Sequence, residues 1–223
     1  SLNHAIMNID VLSFKRLAYR VFDELGIKNV EVLEETGKNL VLRKIASDNA
    51  ARLGVMKANM NRIGYVSEVK SLLSEFVQYN ISPAELKRHI ESGRLSENLR
   101  AKLSDVLIMY EEFNRFMEER YITAEEILNV LSDVAEKSEI LKDAVICFDE
   151  FTGFTPIQNE LMKKLLLVSK KIYVTLTIDS DEDMFHTKGM HELFYMPKKT
   201  IQSLLKMADM LHVDVEDAVI LND

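Results

Sequence analysis

The chain has 223 residues, 47% of them hydrophobic and 29% charged, with a net charge of −8, a balance that suits one large or two small globular units with room for a sizeable core. That acidity argues against a general polyanion binder, although a local basic patch can still act inside a larger assembly. One cysteine leaves no internal disulfide framework and predicts a reducing, cytoplasmic setting; no apolar run reaches a membrane span, and the N-terminal order is not that of a signal peptide.

Seven glycines and three prolines favour long helices over hairpins. Residues 7–14, MNIDVLSF, alternate and are rich in β-formers, which predicts a short strand from Ile9 to Ser13. It runs into KRLAYRVFDELG, where Leu17, Tyr19, Val21, Phe22 and Leu25 share part of a helical face and Gly26 is a stop. Lys15, Arg16 and Arg20 cluster around that helix start, a combination that suits phosphate or base contact as well as a merely solvated helix end.

From Gly37 to about Lys142 the pattern is almost wholly helical. Val66, Val69, Leu72, Leu73, Phe76 and Val77 repeat with a helical period, and Leu99, Leu103, Val106, Leu107, Tyr110, Phe113 and Met117 form the longest amphipathic stripe. Ser82-Pro83-Ala84-Glu85 is a capping box with proline at the first helical position, and Thr123 with Glu126 makes a second box. These stripes predict helix-to-helix core.

The next stretch, VICFDEFTGFTPIQ at residues 145–158, organises the rest. An apolar run ends in Asp149 and Glu150, then Thr155 and Pro156 open a helix. A buried strand ending in Asp-Glu has the form of a Walker B element, whose Asp serves Mg²⁺ and whose Glu activates water. The bland alternative is an exposed acid pair at a strand end. A helix near residues 159–169, a strand at 171–178 (KIYVTLTI) and a helix at 196–211 follow, so two strands flank one helix and predict a parallel crossover in an α/β sheet.

Other groupings are weaker. DSDED at 179–183 lacks the glycine and glutamate of a calcium loop, having Met184 and Met190 there, and His186 and His191 lack zinc spacing. Cys147 is expected as a small buried core residue. No G-x-x-x-x-G-K-[ST] phosphate loop occurs in the chain.

Taken in order, the pieces resemble the N-terminal helicase-like region of the AddB family, the B subunits of bacterial AddAB ATP-dependent helicase–nucleases, over essentially the whole chain. VLSFKRLAYRVF (residues 11–22) is similar to the strand-helix motif after the P-loop, and VICFDEFTGFTPIQ to helicase motif II. KIYVTLTID (171–179) stands in the place of motif III, and HELFYM (191–196) is also AddB-like. UvrD-type enzymes read DEFQDTN where Thr152 and Gly153 stand here, and GDDDQSIY where LTIDSDED (176–183) stands.

The resemblance implies a partial RecA-like, P-loop NTPase-type parallel sheet with a large all-helical insertion. Residues 1–36 and 143–223 would belong to the RecA-like part and 37–142 to the insertion. It implies an inactivated helicase region that scans single-stranded DNA for the Chi sequence within a complex processing double-strand breaks for recombinational repair. An AddA-type subunit would be the partner. Phe14, Arg16, Tyr19 and Phe151 fall on DNA-binding positions, Tyr19 standing where some relatives carry Trp. Asp149 and Glu150 form a degenerate motif II, so the segment alone is expected to be catalytically inactive. A P-loop is expected ahead of Ser1 and a nuclease after Asp223; ATP/Mg²⁺ and an iron–sulfur cluster belong to the longer parent, with no cofactor or metal in this segment. Two alternatives stay open: a competent ATP-dependent helicase subunit, and a scaffold that docks the partner.

Overall fold

A computed structural model describes residues 9–28, 31–60, 62–118, 121–179 and 181–221. Met7 and Asn8 of the predicted first strand motif, and Ser180 of the DSDED loop, lie outside the described residues. The architecture is α/β, dominated by helices, with a small parallel sheet.

The first element is helix α1, Phe14–Glu24. Residues 9–13 were expected as a strand but run as unpaired chain, with Ile9 70% and Val11 90% exposed. Two local interactions take the segment elsewhere: Asp10 pairs with Arg20, and the Ser13 hydroxyl accepts from the Arg16 N–H at 3.4 Å as the N-cap. A parallel strand requires neighbours that bury it, and this segment has none among the described residues. Gly26 takes φ +68° and closes the helix, as the sequence predicts.

Four helices then build the first apolar core: α2 (Glu35–Asp48), α3 (Ile63–Gln78), α4 (Pro83–Glu91) and α5 (Glu97–Met117). Leu42, Val66, Leu73, Val106, Met109 and Phe113 are buried at its centre. The Ser82–Glu85 capping box forms reciprocally, with Glu85 N–H to Ser82 Oγ at 3.2 Å and Ser82 N–H to Glu85 Oε2 at 2.9 Å. Leu99, which the sequence places in the longest amphipathic stripe, is 44% exposed. The helical pattern is broken by an irregular segment, residues 49–60 and 62, that the periodicity did not foretell. The buried Asp105 carboxylate holds it, accepting the Gly54 N–H at 3.0 Å and the Met56 N–H at 2.8 Å.

The second core joins α1 to α6 (Ile127–Val134), α7 (Glu139–Lys142), strand β1 (Val145–Phe148), α8 (Pro156–Val168), strand β2 (Lys171–Val174) and α9 (Tyr195–Leu211). Val21, Phe22, Ile127, Leu131, Leu141, Ile157, Leu161 and Leu165 are buried there. Thus α6 and α7, which lie within residues 37–142, pack with α1, β1 and α8. The α7 cap is shared with α1: Ser138 donates to the Glu24 carboxylate, whose other oxygen accepts the Ile140 N–H at 3.0 Å.

The chain passes between the cores twice, and the two passages pair. Leu33 N–H donates to the Ile122 carbonyl at 2.9 Å and Ile122 N–H to the Glu31 carbonyl at 3.0 Å, a parallel bridge. Beside it the buried Lys38 ammonium meets Glu125 at 3.0 Å and Glu35 at 3.1 Å.

β1 and β2 pair in parallel with α8 as the crossover, as predicted, in the register Val145–Lys171 through Phe148–Val174. Helices cover one face of this sheet, which carries Ile146, Phe148, Ile172 and Val174. Val145, Cys147 and Tyr173 alternate onto the other face and are exposed. The expected buried cysteine is therefore a surface thiol: a two-stranded sheet packed on one side leaves every second residue uncovered. Among the described residues, no helix is long and apolar enough to cross a membrane.

Candidate functional site at the end of strand β1

The C-terminal end of β1, the turn after it and the start of α1 gather most of the chemistry-bearing residues. β1 stops after Phe148 because the next two side chains are acids that both reach solvent. Thr175, one residue beyond β2, holds the turn. Its N–H donates to the Phe148 carbonyl at 2.9 Å, continuing the ladder. Its hydroxyl donates to Asp149 Oδ1 at 2.5 Å while accepting the Glu150 N–H at 3.1 Å. Glu150 sits at φ +58°, a left-handed conformation uncommon for a non-glycine residue. Its carboxylate is presented to solvent at the strand end. Thr175 was not singled out in the sequence. The signal that could have found it is its place one residue past a parallel strand, opposite the acids.

An aromatic cluster lies under this turn. The Phe14 and Phe151 rings meet edge to face with centroids 5.8 Å apart, and Phe148 lies 5.8 Å from Phe14 and 5.6 Å from Phe151. Phe154 stacks on Phe151 at 5.1 Å. Both Phe14 and Phe151 are partly buried against the second core. They keep some exposed surface while serving as packing residues.

α1 sorts the other candidates by helical angle. At 100° per residue, Phe14, Ala18 and Val21 share the face turned to the core, whereas Arg16, Tyr19 and Arg20 share the outer side. Arg16 is exposed, and Tyr19 is partly buried with its ring 6.3 Å from Phe22 and Lys15 Nζ 5.9 Å above its centroid. The four predicted DNA-contact residues thus divide: Phe14 and Phe151 are in contact, while Arg16 and Tyr19 lie about the helix from them.

The following helix closes the site from behind. The Thr200 hydroxyl donates to the Thr152 carbonyl at 3.0 Å. Lys198, fully buried on the same helix, pairs with Glu182 at 2.5 Å and Glu192 at 3.6 Å. The Glu182 hydrogen bond raises the Lys198 pKa above the ordinary lysine value against the opposing effect of burial. The DSDED loop is thereby anchored through Glu182 to the helix that backs the DEFTGF turn. Among the described residues no group of three or more His, Cys, Asp or Glu side chains is arranged to hold a metal ion.

The family model described as "ADDB, N-terminal" matches residues 1–223, the whole chain. The chain belongs to the AddB N-terminal family. It is 36% identical over 215 residues to the B subunit of the ATP-dependent helicase/deoxyribonuclease of Lachnoclostridium phytofermentans, a match covering 96% of this chain and 19% of that protein. It is similar to proteins of the same name from Thermoanaerobacter sp. strain X514, at 34% identity over 97% of the chain and 18% of the relative, and from Clostridium tetani, at 31% over 98% and 19%. The chain spans less than a fifth of the length of these AddB relatives.

Proposed function

We propose that this AddB-family segment forms part of the DNA path of a helicase–deoxyribonuclease that processes broken DNA for recombinational repair. In this reading it contacts single-stranded DNA and scans it for a Chi-type sequence without turning over ATP. An AddA-type subunit is the partner, in the cytoplasm. The observation that carries the reading is the family match across the entire chain, in proteins whose name joins helicase and deoxyribonuclease activities. The parallel β1–α8–β2 crossover, with acids at the C-terminal end of its first strand, supports a partial RecA-like sheet interrupted by the helices of residues 37–142.

Phe151 and Phe14, at the end of the sheet where open α/β folds bind ligands, supply ring surface on which a base can stack, worth about 1–3 kcal/mol each. Arg16 and Tyr19 add a charged and an aromatic contact along α1, and Arg16 can reach phosphate or the O6/N7 edge of guanine. In the complete complex, Arg16→Ala is expected to blunt the response to Chi more than it slows translocation, with a loss of about 1–3 kcal/mol of discrimination. Comparing cleavage of Chi-containing and Chi-free duplexes reads this out. An unchanged Chi response in both Arg16→Ala and Phe151→Ala removes the assignment.

One observation favours a competing reading as an ATP-hydrolysing helicase segment: Asp149 and Glu150 are both exposed at the strand end. Carboxylates there suit Mg²⁺, yet this chain's sequence holds no phosphate-cradling loop, and Thr175 already engages Asp149. In this reading any ATP/Mg²⁺ or iron–sulfur cluster of a longer parent would be held outside these 223 residues. Isothermal titration of the chain with Mg-ATP is expected to give no saturable binding. Binding abolished by Asp149→Ala would select the competing reading.

A further inference from the structure

One stretch of the helical region carries a charge balance opposite to that of the molecule. Residues 43–62 contain Arg43, Lys44, Arg52, Lys57 and Arg62 against the single acid Asp48, in a chain whose net charge is −8. All five cations are exposed. Arg43 and Lys57 line the same open groove of about 490 Å³, with Ala46 and Ser47 from the end of α2 and Ala50, Ala58 and Met60 from the irregular segment. Small side chains on the groove's walls let a backbone approach closely, and its lining has no aromatic ring for stacking bases.

The segment that brings Lys57 to Arg43 is a built feature. A run of irregular backbone as long as residues 49–60 is unusual inside a compact domain unless it has a role. Here it is fixed from below by the two bonds to the Asp105 carboxylate and by the buried side chains of Leu53, Met56 and Met60. Arg52 is oriented by Glu112 at 2.8 Å. Among the described residues, Arg43, Lys44, Lys57 and Arg62 make no ion pair, so their charge is available to a ligand. Ordered backbone beneath mobile-stemmed cations reduces the ordering cost of binding.

We infer that the Arg43–Lys57 groove, on the helical core and separate from the Phe14–Phe151 cluster, is a second nucleic-acid contact that binds the phosphodiester backbone without reading sequence. Only the choice of nucleic acid as the polyanion rests on the function proposed above. Contacts of this kind position a strand and carry no base information. A strand held here and at the end of β1 would touch both cores.

Fluorescence anisotropy of the 223-residue chain with labelled single-stranded and duplex oligonucleotides of mixed sequence, titrated over a salt series, tests this. The variants are Arg43→Gln/Lys57→Gln and, separately, Arg16→Gln; both alter exposed side chains, and unchanged thermal melting checks their folding. The double variant is expected to bind about tenfold more weakly. Loss of two phosphate contacts should also flatten the dependence of log K on log salt by about 1.4 for a single strand or about 1.8 for a duplex, and the arm that changes identifies the form held. Unchanged affinity and slope in the double variant, or no binding by the parent chain, overturns the groove assignment. Weakening by Arg16→Gln alone overturns the groove while leaving the proposed function standing. Weakening by the double variant alone supports the groove and counts against the Arg16 path.

Discussion

Glu150 holds a left-handed backbone at φ +58°, a conformation that costs a side-chain-bearing residue about 1 kcal/mol. Thr175 stabilises it by accepting its N–H. Glu150→Gly is therefore expected to raise stability by up to about 1 kcal/mol, since glycine adopts this region freely; urea melting of parent and variant measures it, and destabilisation would contradict the strain argument. Glu125 offers a pH test. Burial pushes its carboxyl up, but the hydrogen bond and charge of Lys38 outweigh that and hold it below the ordinary value of 4.5. A depressed carboxylate contributes stability that is present above the unfolded pKa and lost as pH falls through the folded one. Glu125→Gln should thus cost about 1–3 kcal/mol near neutrality, and the gap to the parent should close as pH falls below the ordinary 4.5. A gap that stays the same from neutral to strongly acidic pH in chemical melts would refute the ion-pair account.

Among the elements, the irregular segment that begins at residue 49 takes its polar anchorage from one side chain. Asp105 is 4% exposed and its two oxygens take the Gly54 and Met56 N–H groups. Asp105→Asn presents an amide donor to one of those N–H groups, so about 2–4 kcal/mol should be lost. Hydrogen exchange at the Gly54 and Met56 amides should accelerate well beyond that in α3, and equal acceleration throughout would show the effect is global. Local chemistry was what the sequence made legible. Both capping boxes and the Thr155-Pro156 start depend on residues within one turn, and their reciprocal bonds all form, although the Thr123–Glu126 pair closes the turn just ahead of α6 and Glu126 stands at the N-cap. The strand at residues 9–13 was misread because alternation cannot say whether a neighbour exists, and Ser13 and Asp10 were committed to α1. Cys147 was misread because its burial depends on how many layers cover the sheet. At the candidate site, the Asp149–Glu150 turn and its aromatics were visible as a motif, whereas Thr175 was not, since it arrives from 26 residues away.

For the molecule as a whole, the two cores are joined by the Val32–Ile122 bridge and the buried Lys38–Glu125 pair, and Val77 of α3 packs against the second core. Such ties predict one cooperative unfolding transition. Met109→Ala in the first core and Leu131→Ala in the second, both residues with no exposed surface, should each cost about 2–5 kcal/mol. Each should lower the same denaturation midpoint, whether followed by circular dichroism or by amide exchange in the other core. Two separated transitions would mean the ties are too weak to couple the cores.

The order of elements along the chain also sets a schedule for synthesis. α1 is completed early, yet the core that buries Val21 and Phe22 is built with Ile127, Leu131 and Leu161, which follow by roughly a hundred residues or more. At about 5–20 residues per second of translation, the apolar face of α1 waits about 5–20 s for them. The helical core, built from residues 42–117, can close in the interval. Once residues 1–118 of a nascent chain have emerged, the helical core should therefore resist protease better than α1, which is still cleavable, and this interval is when a chaperone would find its binding face.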